Sequence, residues 1–485
     1  MHLITYNTNE KNINKQLIIA GLLISSCKSL NTNIQTNEQV IPKSYSKLQV
    51  TNDSANISDI VWKNFFNDQP LNTLIDEALS NNFDYKLALE RIELLKANLI
   101  ASKGKRMPQI SANINGGVRK FGLYTMDGAG NITTEIIPGK IVPINLPDMY
   151  LGMQASWEAD LWGKLKNQKK SALAQLKASS TYANLIKSNL VYDIAASYYE
   201  LLALDNELDI LNSTLTNHAK VIEAIKVQKE AGRVNELAVQ QFRNFAINTT
   251  ARKMEVEQQI VEFENQINFL LGRFPQPIKR STINVYDDIP NVIQTGIPSN
   301  LLNNRPDIKQ AEYMLTASKF DLQSAKAAFY PSLNITAGFG FQAFNPSYLF
   351  KSPASQAFSL LGGLLYPLVN KTALKAQFAT AKSNQLSAIY TYQKTILNAF
   401  TEVANELDNF ENLRKLNALR AEQNNISKNT IEISNSLFFT GKATYLEVLY
   451  AQQGALASQL EYNTVKKLQK LSQVNLYKVL GGGWK

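Results

Sequence analysis

Polar and apolar residues alternate in four short segments of the chain. These segments are residues 109–118, 151–161, 332–343 and, more weakly, 358–366. Alternation with a period of two predicts β-strands that have one apolar and one polar face. Each segment is about ten residues long, which suits a tilted strand that crosses an outer membrane between lipid and water. A soluble, half-buried sheet would show the same period.

The number of strands favours the membrane interpretation. Four strands are too few to close a barrel, and an open sheet edge cannot face lipid because its backbone groups would lack hydrogen-bond partners. The sequence therefore predicts that several copies of the chain contribute strands to one barrel. The predicted lipid-facing side chains are those of Ile110, Ile114, Leu151, Met153, Leu333, Ile335 and Phe339.

Most of the remaining chain has helical periodicity. The predicted long helices span residues 164–230, 235–271, 372–439 and 443–480. In the first of them apolar residues recur at every seventh position, namely Ile194, Leu201, Leu208, Leu215 and Ile222, which is typical of a coiled-coil seam. At about 1.5 Å per residue this helix would be roughly 100 Å long, several times the thickness of a membrane. Gly232 and Gly441 are predicted to end the first helix of each pair.

The whole arrangement occurs twice. Asp84, Ala88 and Pro108 return as Asp307, Ala311 and Pro331, each 223 positions later (307 − 84, 311 − 88, 331 − 108). A repeat of about two hundred residues is too long for a solenoid and predicts one fold built from two duplicated halves. We expect residues 59–289 and 290–485 to be these repeats, each with short helices, a strand hairpin and a long helical hairpin.

The N-terminal segment has the features of a lipoprotein signal peptide. Lys11 and Lys15 precede an apolar run over residues 17–24, which is too short to span a bilayer. The run leads into Ile24-Ser25-Ser26-Cys27, which is similar to a bacterial lipobox, and Cys27 is the single cysteine of the chain. We expect residues 1–26 to be removed, Cys27 to be acylated, and residues 27–58 to form a flexible polar tether. An ordinary secretory signal with an incidental cysteine is the alternative.

The charge distribution argues against nucleic acid as a partner. The chain of 485 residues carries a formal net charge of +10, but its basic residues are not interleaved with aromatic stacking groups as nucleic-acid binding requires. They flank the predicted strands instead, at Lys103, Lys105, Arg106, Lys164, Lys166, Lys169 and Lys170. This placement suits anchoring at the level of lipid headgroups. A solvated helix face would explain it equally well.

Three motifs together resemble a known family, the TolC-like outer-membrane efflux factors, in the acylated branch that works with resistance-nodulation-division pumps. The first is the stretch from Ile297-Pro298-Ser299-Asn300-Leu301-Leu302 to Arg305-Pro306-Asp307-Ile308. The second is Trp157-Glu158-Ala159-Asp160-Leu161-Trp162-Gly163-Lys164. The third is Gly441 followed by Leu446-Glu447-Val448-Leu449 and Ala451-Gln452. The resemblance covers the chain from about residue 58 onward.

The resemblance implies an α+β membrane protein that assembles as a homotrimer. Four strands from each chain would form a transmembrane β-barrel, which a long α-helical coiled-coil tunnel would continue through the periplasm. It also implies passive conduction of small molecules from a pump and an adaptor to the exterior, and we expect no cofactor. An inner-membrane efflux pump would supply the energy, and a periplasmic adaptor would join the pump to the channel.

The resemblance also points to residues at the helix turns. The family closes its tunnel near the tips of the helical hairpins with carboxylates, and the matching position here is Glu447. Tyr450 stands where the family often has a second acid, which leaves a single ring of carboxylates at the constriction. Gly232 and Gly441 would form the turns at the periplasmic end. An ordinary helix N-terminal acid, stabilised by the helix dipole, is the alternative role of Glu447.

No motif supports an enzyme or a metal site. His218 falls on the coiled-coil seam and is predicted to be a packed, hydrogen-bonded residue, since no second histidine or cysteine follows it that could complete a zinc site. Phosphate-binding glycine loops and nucleophile elbows are absent from the sequence. Two further alternatives remain, a periplasmic adaptor and a structural coiled-coil lipoprotein. The adaptor would have one helical hairpin rather than two, and the coiled coil would not explain the strands.

Overall fold

The computed structural model describes residue 42 and residues 56–281, 298–366, 369 and 371–485. Ten α-helices occur among these residues: α1 (Trp62–Phe65), α2 (Gln69–Asn81), α3 (Phe83–Gly104), α4 (Met126–Asn131), α5 (Lys164–Glu230), α6 (Glu236–Leu270), α7 (Leu301–Asn304), α8 (Pro306–Ala327), α9 (Thr372–Phe439) and α10 (Tyr445–Val479). Six strands occur as well: β1 (Gln109–Lys120), β2 (Glu135–Ile137), β3 (Lys140–Ile141), β4 (Asn145–Ala159), β5 (Ser332–Ala343) and β6 (Gln356–Leu365).

The four predicted strands form one antiparallel sheet. Its strand order is β1-β4-β5-β6, so each hairpin partner is a neighbour and the two hairpins meet between β4 and β5. Opposite pairs include Ile114 with Leu151 and Met153 with Phe339, which places these apolar side chains on one face. The short strands β2 and β3 form a separate ribbon in the connection between β1 and β4.

The four predicted long helices are also present. The structure gives α5 and α9 the predicted ends, and α6 and α10 are one or two residues shorter at each end than predicted. The order of a 22-residue helix, two long strands and two long helices occurs twice along the chain. This repeated order confirms the predicted α+β class with two internal structural repeats. The boundaries proposed for the repeats, the tether and the signal peptide stay predictions.

The chain divides into two compact units. The strand unit comprises Lys105–Gln168 and Lys319–Leu386, and it contains the sheet. The helical unit comprises the described residues among 39–104, 169–318 and 387–485. Its main core is built from side chains of α2, α5, α6 and α10, with Leu71, Ile75, Ile194, Leu201, Ile267 and Leu476 fully buried. Apolar burial of this kind is the main contribution to the stability of such a unit.

The two halves end in the same way. Gly272 follows α6 and lies so close to Asn81 that a β-carbon on it would be 2.8 Å from the Asn81 carbonyl oxygen. Gly481 follows α10 and lies equally close to Asn304, at 2.7 Å from its carbonyl oxygen. Only glycine permits this approach. The duplication seen in the sequence is thus also a duplication of backbone packing.

Candidate functional site

One face of the sheet is apolar and exposed on the single chain. Ile114 exposes 81% of its surface and Phe358 exposes 85%. The other exposed apolar side chains of this face include Ile110, Val118, Met153, Phe339, Leu360 and Leu364. We call these residues, with their smaller neighbours, the apolar face. An exposed apolar surface that extends over all four strands of the sheet requires a covering partner or a lipid environment.

The opposite face carries hydrogen-bonding groups that satisfy one another. The Asn113 amide donates to the Gln154 carbonyl oxygen at 3.0 Å. The Gln342 amide donates to the Asp148 carboxylate at 2.7 Å, and Arg119 forms an ion pair with the same carboxylate. We call this the polar face. Because its charges are paired, it is suited to contact with water rather than to binding one ion tightly.

Strands β1 and β6 are the two edges of the sheet within the described residues. Each has a neighbouring strand on one side only, β4 for β1 and β5 for β6. On its outer side each edge presents backbone groups able to pair with another strand. The edge strands are 12 and 10 residues long, so both are long enough to pair with a strand of another copy.

The motif around Trp162 joins the end of β4 to the start of α5. The Trp162 indole donates to the Pro331 carbonyl oxygen at 2.7 Å, and its ring stacks on Tyr330 with 5.0 Å between centroids. The Asp160 carboxylate accepts hydrogen bonds from the backbone amides of Leu165 and Lys166 at 2.9 and 2.6 Å. Capping of this kind satisfies amides that the first helical turn leaves free. The motif is therefore explained by local structure, beside a cavity of about 530 Å³.

The Arg-Pro-Asp motif has a similar structural role in the helical unit. The Arg305 side chain is largely buried and donates to Asp307 at 2.7 Å, to Glu402 at 2.8 Å and to the Val479 carbonyl oxygen at 2.9 Å. It therefore ties the start of α8 to both α9 and the end of α10. A buried guanidinium requires such partners because an isolated buried charge is costly.

The two helical hairpins turn through the same backbone motif. Gly232 has φ of 72° and Gly441 has φ of 70°, the left-handed region that favours glycine. The amide after each glycine donates five residues back, from Arg233 to Gln228 at 2.8 Å and from Lys442 to Leu437 at 2.8 Å. These bonds form Schellman motifs that end α5 and α9. Nothing lies within 4 Å of a β-carbon built on Gly232 or on Gly441.

Glu447 lies in the first turn of α10 and caps that helix. The Thr444 amide donates to its carboxylate at 2.6 Å and the Thr444 hydroxyl at 2.9 Å, while Thr444 in turn caps the Glu447 amide. The hydrogen bond from the Thr444 amide is the main cause that lowers the pKa of Glu447 below 4.5. The side chain is solvent-exposed. Tyr450 lies one turn later and is 69% exposed.

Close to these turns, side chains from both hairpins form a small core. We call it the turn cluster; it consists of Val221, Ile225, Ala238, Phe242, Phe245, Phe438, Val448 and Leu449. His218 lies beside it and is 2% exposed. Its two ring nitrogens lie 2.7 Å from the Gln452 side-chain oxygen and 2.7 Å from the Phe242 carbonyl oxygen. His218 is therefore packed and hydrogen-bonded, as predicted.

The structure places the predicted site residues in two groups. One group lies at the turn of the second hairpin and consists of Gly441, Glu447 and Tyr450. Gly232 lies at the turn of the first hairpin. Cys27 lies outside the described residues. The partner of His218, Gln452, was not predicted from the sequence, although Gln452 belongs to the third motif. Within the described residues, no set of three or more His, Cys, Asp or Glu side chains is arranged to hold a metal ion.

Comparison with known proteins decides the family. The sequence profile described as Outer membrane efflux protein matches residues 74–273 and 297–482. The chain belongs to this family. In the part of the chain that the structure describes, no helix is long and apolar enough to cross a membrane.

Relatives and solved structures agree with this membership. The chain is 26% identical over 469 residues to the cation efflux system protein CusC of Escherichia coli O6:H1 (strain CFT073). This match covers 96% of the present chain and 97% of CusC. It is 27% identical over 470 residues to the probable outer membrane lipoprotein SilC of Salmonella typhimurium, covering 95% and 97%. Its fold is similar to that of the outer-membrane channel OprN, with a TM-score of 0.84 at 23% identity over 94% of this chain and 99% of that chain.

These findings confirm the predicted fold class, the resemblance and the general function. The protein is an outer-membrane channel component of a tripartite efflux system, and its place is the outer membrane. The family is one of transport channels rather than of enzymes.

Proposed function

We propose that three copies of the chain close one barrel, with β1 of each copy paired to β6 of the next. The observation that carries this proposal is the sheet with two available edges, one apolar face and one polar face. Inside a membrane an open edge is not tolerated, so the edges must pair with one another. Pairing of two different edges is a head-to-tail contact, which closes into a ring. The number three comes from the family resemblance.

In this assembly the apolar face contacts lipid and the polar face lines a water-filled passage. The exposure of Ile114 and Phe358 supports the first part. The mutual pairing of Asn113 with Gln154, and of Arg119 with Asp148, supports the second. A wall with its charges paired would let small molecules pass without holding them, and the passage would conduct passively. We attribute the choice of exported compounds to the pump and propose no catalytic activity for this chain.

We further propose that the Gly232 and Gly441 turns meet the periplasmic adaptor. Glu447 lies just past the Gly441 turn and is exposed, with a pKa below 4.5 because the Thr444 amide donates to it. Three such carboxylates around one axis would attract cations to the entrance. Tyr450, one turn further along the same helix, would contribute an aromatic side chain to this constriction.

The lipid anchor is a separate proposal. We propose that Cys27 is the acylated N-terminus of the mature protein, because the residues before it are similar to a lipobox. The name of the relative SilC, a probable outer membrane lipoprotein, supports it. One acyl chain binds membranes weakly, so the anchors of several copies would act together with the barrel. Intact-mass analysis of the mature N-terminal peptide tests this, and an unmodified Cys27 or cleavage elsewhere would contradict it.

The assembly itself is tested by isolation from outer membranes and by reconstitution. The protein should run as a heat-modifiable trimer on a denaturing gel when unheated, and it should give stepwise currents in planar lipid bilayers. An adaptor or a structural coiled-coil lipoprotein would give neither. Monomers in the outer-membrane fraction together with an absence of currents would contradict the proposed channel.

A further inference from the structure

Tyr150 lies on the polar face, where its ring covers three glycines of β4 and β5. A β-carbon added to Gly152 would be 2.5 Å from the Tyr150 hydroxyl oxygen, and one added to Gly340 would be 3.0 Å from the Cζ atom of the ring. At Gly338 the same carbon would be 3.7 Å from the hydroxyl oxygen. Gly152 and Gly340 are directly opposite each other, and Gly338 is the next residue of β5 on this face. The ring therefore occupies the space that side chains at these positions would fill.

This position is unusual for a strand side chain. Side chains in strands generally stand perpendicular to the sheet and lean along the strand. The Tyr150 ring instead lies along the sheet, because glycine leaves a hollow on the neighbouring strand that a large cross-strand side chain can fill. Tyr150 is partly buried.

A ring that lies against the wall takes up little of the passage, whereas a ring standing upright would project into it. We propose that Tyr150 determines the free width of the strand-lined passage, and that Gly152, Gly338 and Gly340 keep the passage wide by allowing the ring to lie flat. The inference rests on the proposed placement of the polar face around the passage. It assigns Tyr150 a role in setting the conductance of the strand-lined passage, while the choice of exported compounds stays with the pump.

Gly338 is the position at which the ring can be displaced with the least damage to the sheet. A β-carbon on Gly152 would lie 2.6 Å from the Phe339 carbonyl oxygen, and one on Gly340 would lie 2.5 Å from the Leu151 carbonyl oxygen, so substitutions there disturb the backbone. At Gly338 the closest atom is the Ser359 hydroxyl oxygen at 2.9 Å, which can rotate away. The methyl groups of a valine at this position would reach the space that the tip of Tyr150 occupies.

The test measures single-channel conductance of the assembled channel in planar bilayers. Gly338→Val should lower the conductance because the ring is pushed into the passage. The same substitution combined with Tyr150→Ala should lower it much less, since no ring is left to be displaced. Tyr150→Phe should conduct as the parent does. Gly117→Val is the matched control, because Gly117 lies on the same face opposite Asp148 and a β-carbon there meets nothing within 4 Å.

Assembly is verified for every variant by the heat-modifiable trimer, and Gly338→Ala provides a milder displacement if the valine variant does not assemble. An equal loss of conductance from Gly338→Val with and without Tyr150 would overturn the inference, as would an equal loss from Gly117→Val. Ser156→Cys on the same face separates this failure from failure of the proposed function. If a hydrophilic thiol reagent blocks Ser156→Cys while the Tyr150 dependence is absent, only the inference fails. If the reagent has no effect, the polar face does not line the passage.

Discussion

The sheet and the turn cluster use the same kinds of apolar side chain in opposite ways. On the sheet, Ile114 and Phe358 expose more than four-fifths of their surface on the single chain, at 81% and 85%. In the turn cluster, Ile225 and Phe242 are fully buried by side chains of both helical hairpins. The turn cluster is thus stabilised within one chain. The sheet, by contrast, needs lipid and further copies of the chain to cover it.

The difference separates two sources of stability that can be tested independently. Substitutions in the turn cluster should act on the folded chain itself, in detergent or in a membrane. Substitutions on the apolar face should act only where lipid replaces water around it. Equal effects of the two sets of substitutions on the stability of the purified protein would show that the two regions do not differ in this way.

The largest effect is expected at the centre of the turn cluster. Phe242→Ala should destabilise the helical unit by about 3 to 5 kcal/mol, because it leaves a cavity in a packed core. Thermal unfolding of the purified protein, followed by its helical circular dichroism, should show a lower midpoint. Phe358→Ala is the matched control on the apolar face and should leave the midpoint close to that of the parent. Equal shifts for both variants would contradict the comparison.

A somewhat smaller effect is expected on the apolar face. Ile114→Arg should cost about 2 to 4 kcal/mol if the residue lies at mid-membrane, and it should reduce the amount of trimer in the outer-membrane fraction. The neighbouring substitution Asn113→Arg places the same charge on the polar face and should leave trimer formation unchanged. Equal tolerance of arginine at both positions would show that this sheet does not contact lipid.

The turn itself should respond to backbone strain. Gly441→Ala should destabilise the hairpin end by about 1 to 2 kcal/mol, because it places a side chain in the left-handed region. Gly454→Ala in the interior of α10 should instead stabilise the helix by about 0.5 to 1 kcal/mol, because alanine favours the helical backbone over glycine. A β-carbon built on Gly454 meets nothing within 4 Å. Thermal unfolding should distinguish the two. A stabilising Gly441→Ala would contradict the observed turn.

Glu447→Gln should have the smallest effect on stability but a clear effect on ions. The substitution removes a carboxylate whose pKa is lowered below 4.5, chiefly because the Thr444 amide donates to it. Cation selectivity in planar bilayers should therefore persist in the parent at pH 4.5 and disappear as the pH falls further through the lowered pKa. In the variant, selectivity should be reduced wherever the parent carboxylate is ionised, and the two channels should become alike below that pKa. If the cation selectivity of Glu447→Gln equals that of the parent at every pH, Glu447 acts only as a helix cap.

Most of the long strands and helices could be predicted from the sequence, because each has a clear hydrophobic period. Alternation located all four strands of the sheet. The uninterrupted runs without Gly or Pro over residues 164–230 and 372–439 gave the extent of α5 and α9. The predicted start of β4 at Leu151 was wrong by six residues, because the strand begins at Asn145. The reason is that Leu146, Pro147 and Asp148 interrupt the alternation, although these residues are paired in the ladder with β1.

Contacts between distant parts of the chain could not be predicted in this way. His218 meets Gln452 across 234 positions, and no local pattern indicates such a pair. The position of Tyr150 over glycines of a neighbouring strand depends equally on the strand register. By contrast, the capping role of Glu447 could be anticipated, because Thr444 and Glu447 have the spacing of a capping box.

The central claim is that the polar face lines a water-filled passage and the apolar face contacts lipid. Gln154 and Met153 are adjacent, both exposed on the single chain, and directed to opposite faces of the sheet. The most direct test replaces each in turn by cysteine and adds a hydrophilic, membrane-impermeant thiol reagent to channels in a planar bilayer. Gln154→Cys should react and lose current, while Met153→Cys and the parent should keep theirs. Block of Met153→Cys, or an unaffected Gln154→Cys, would contradict the account.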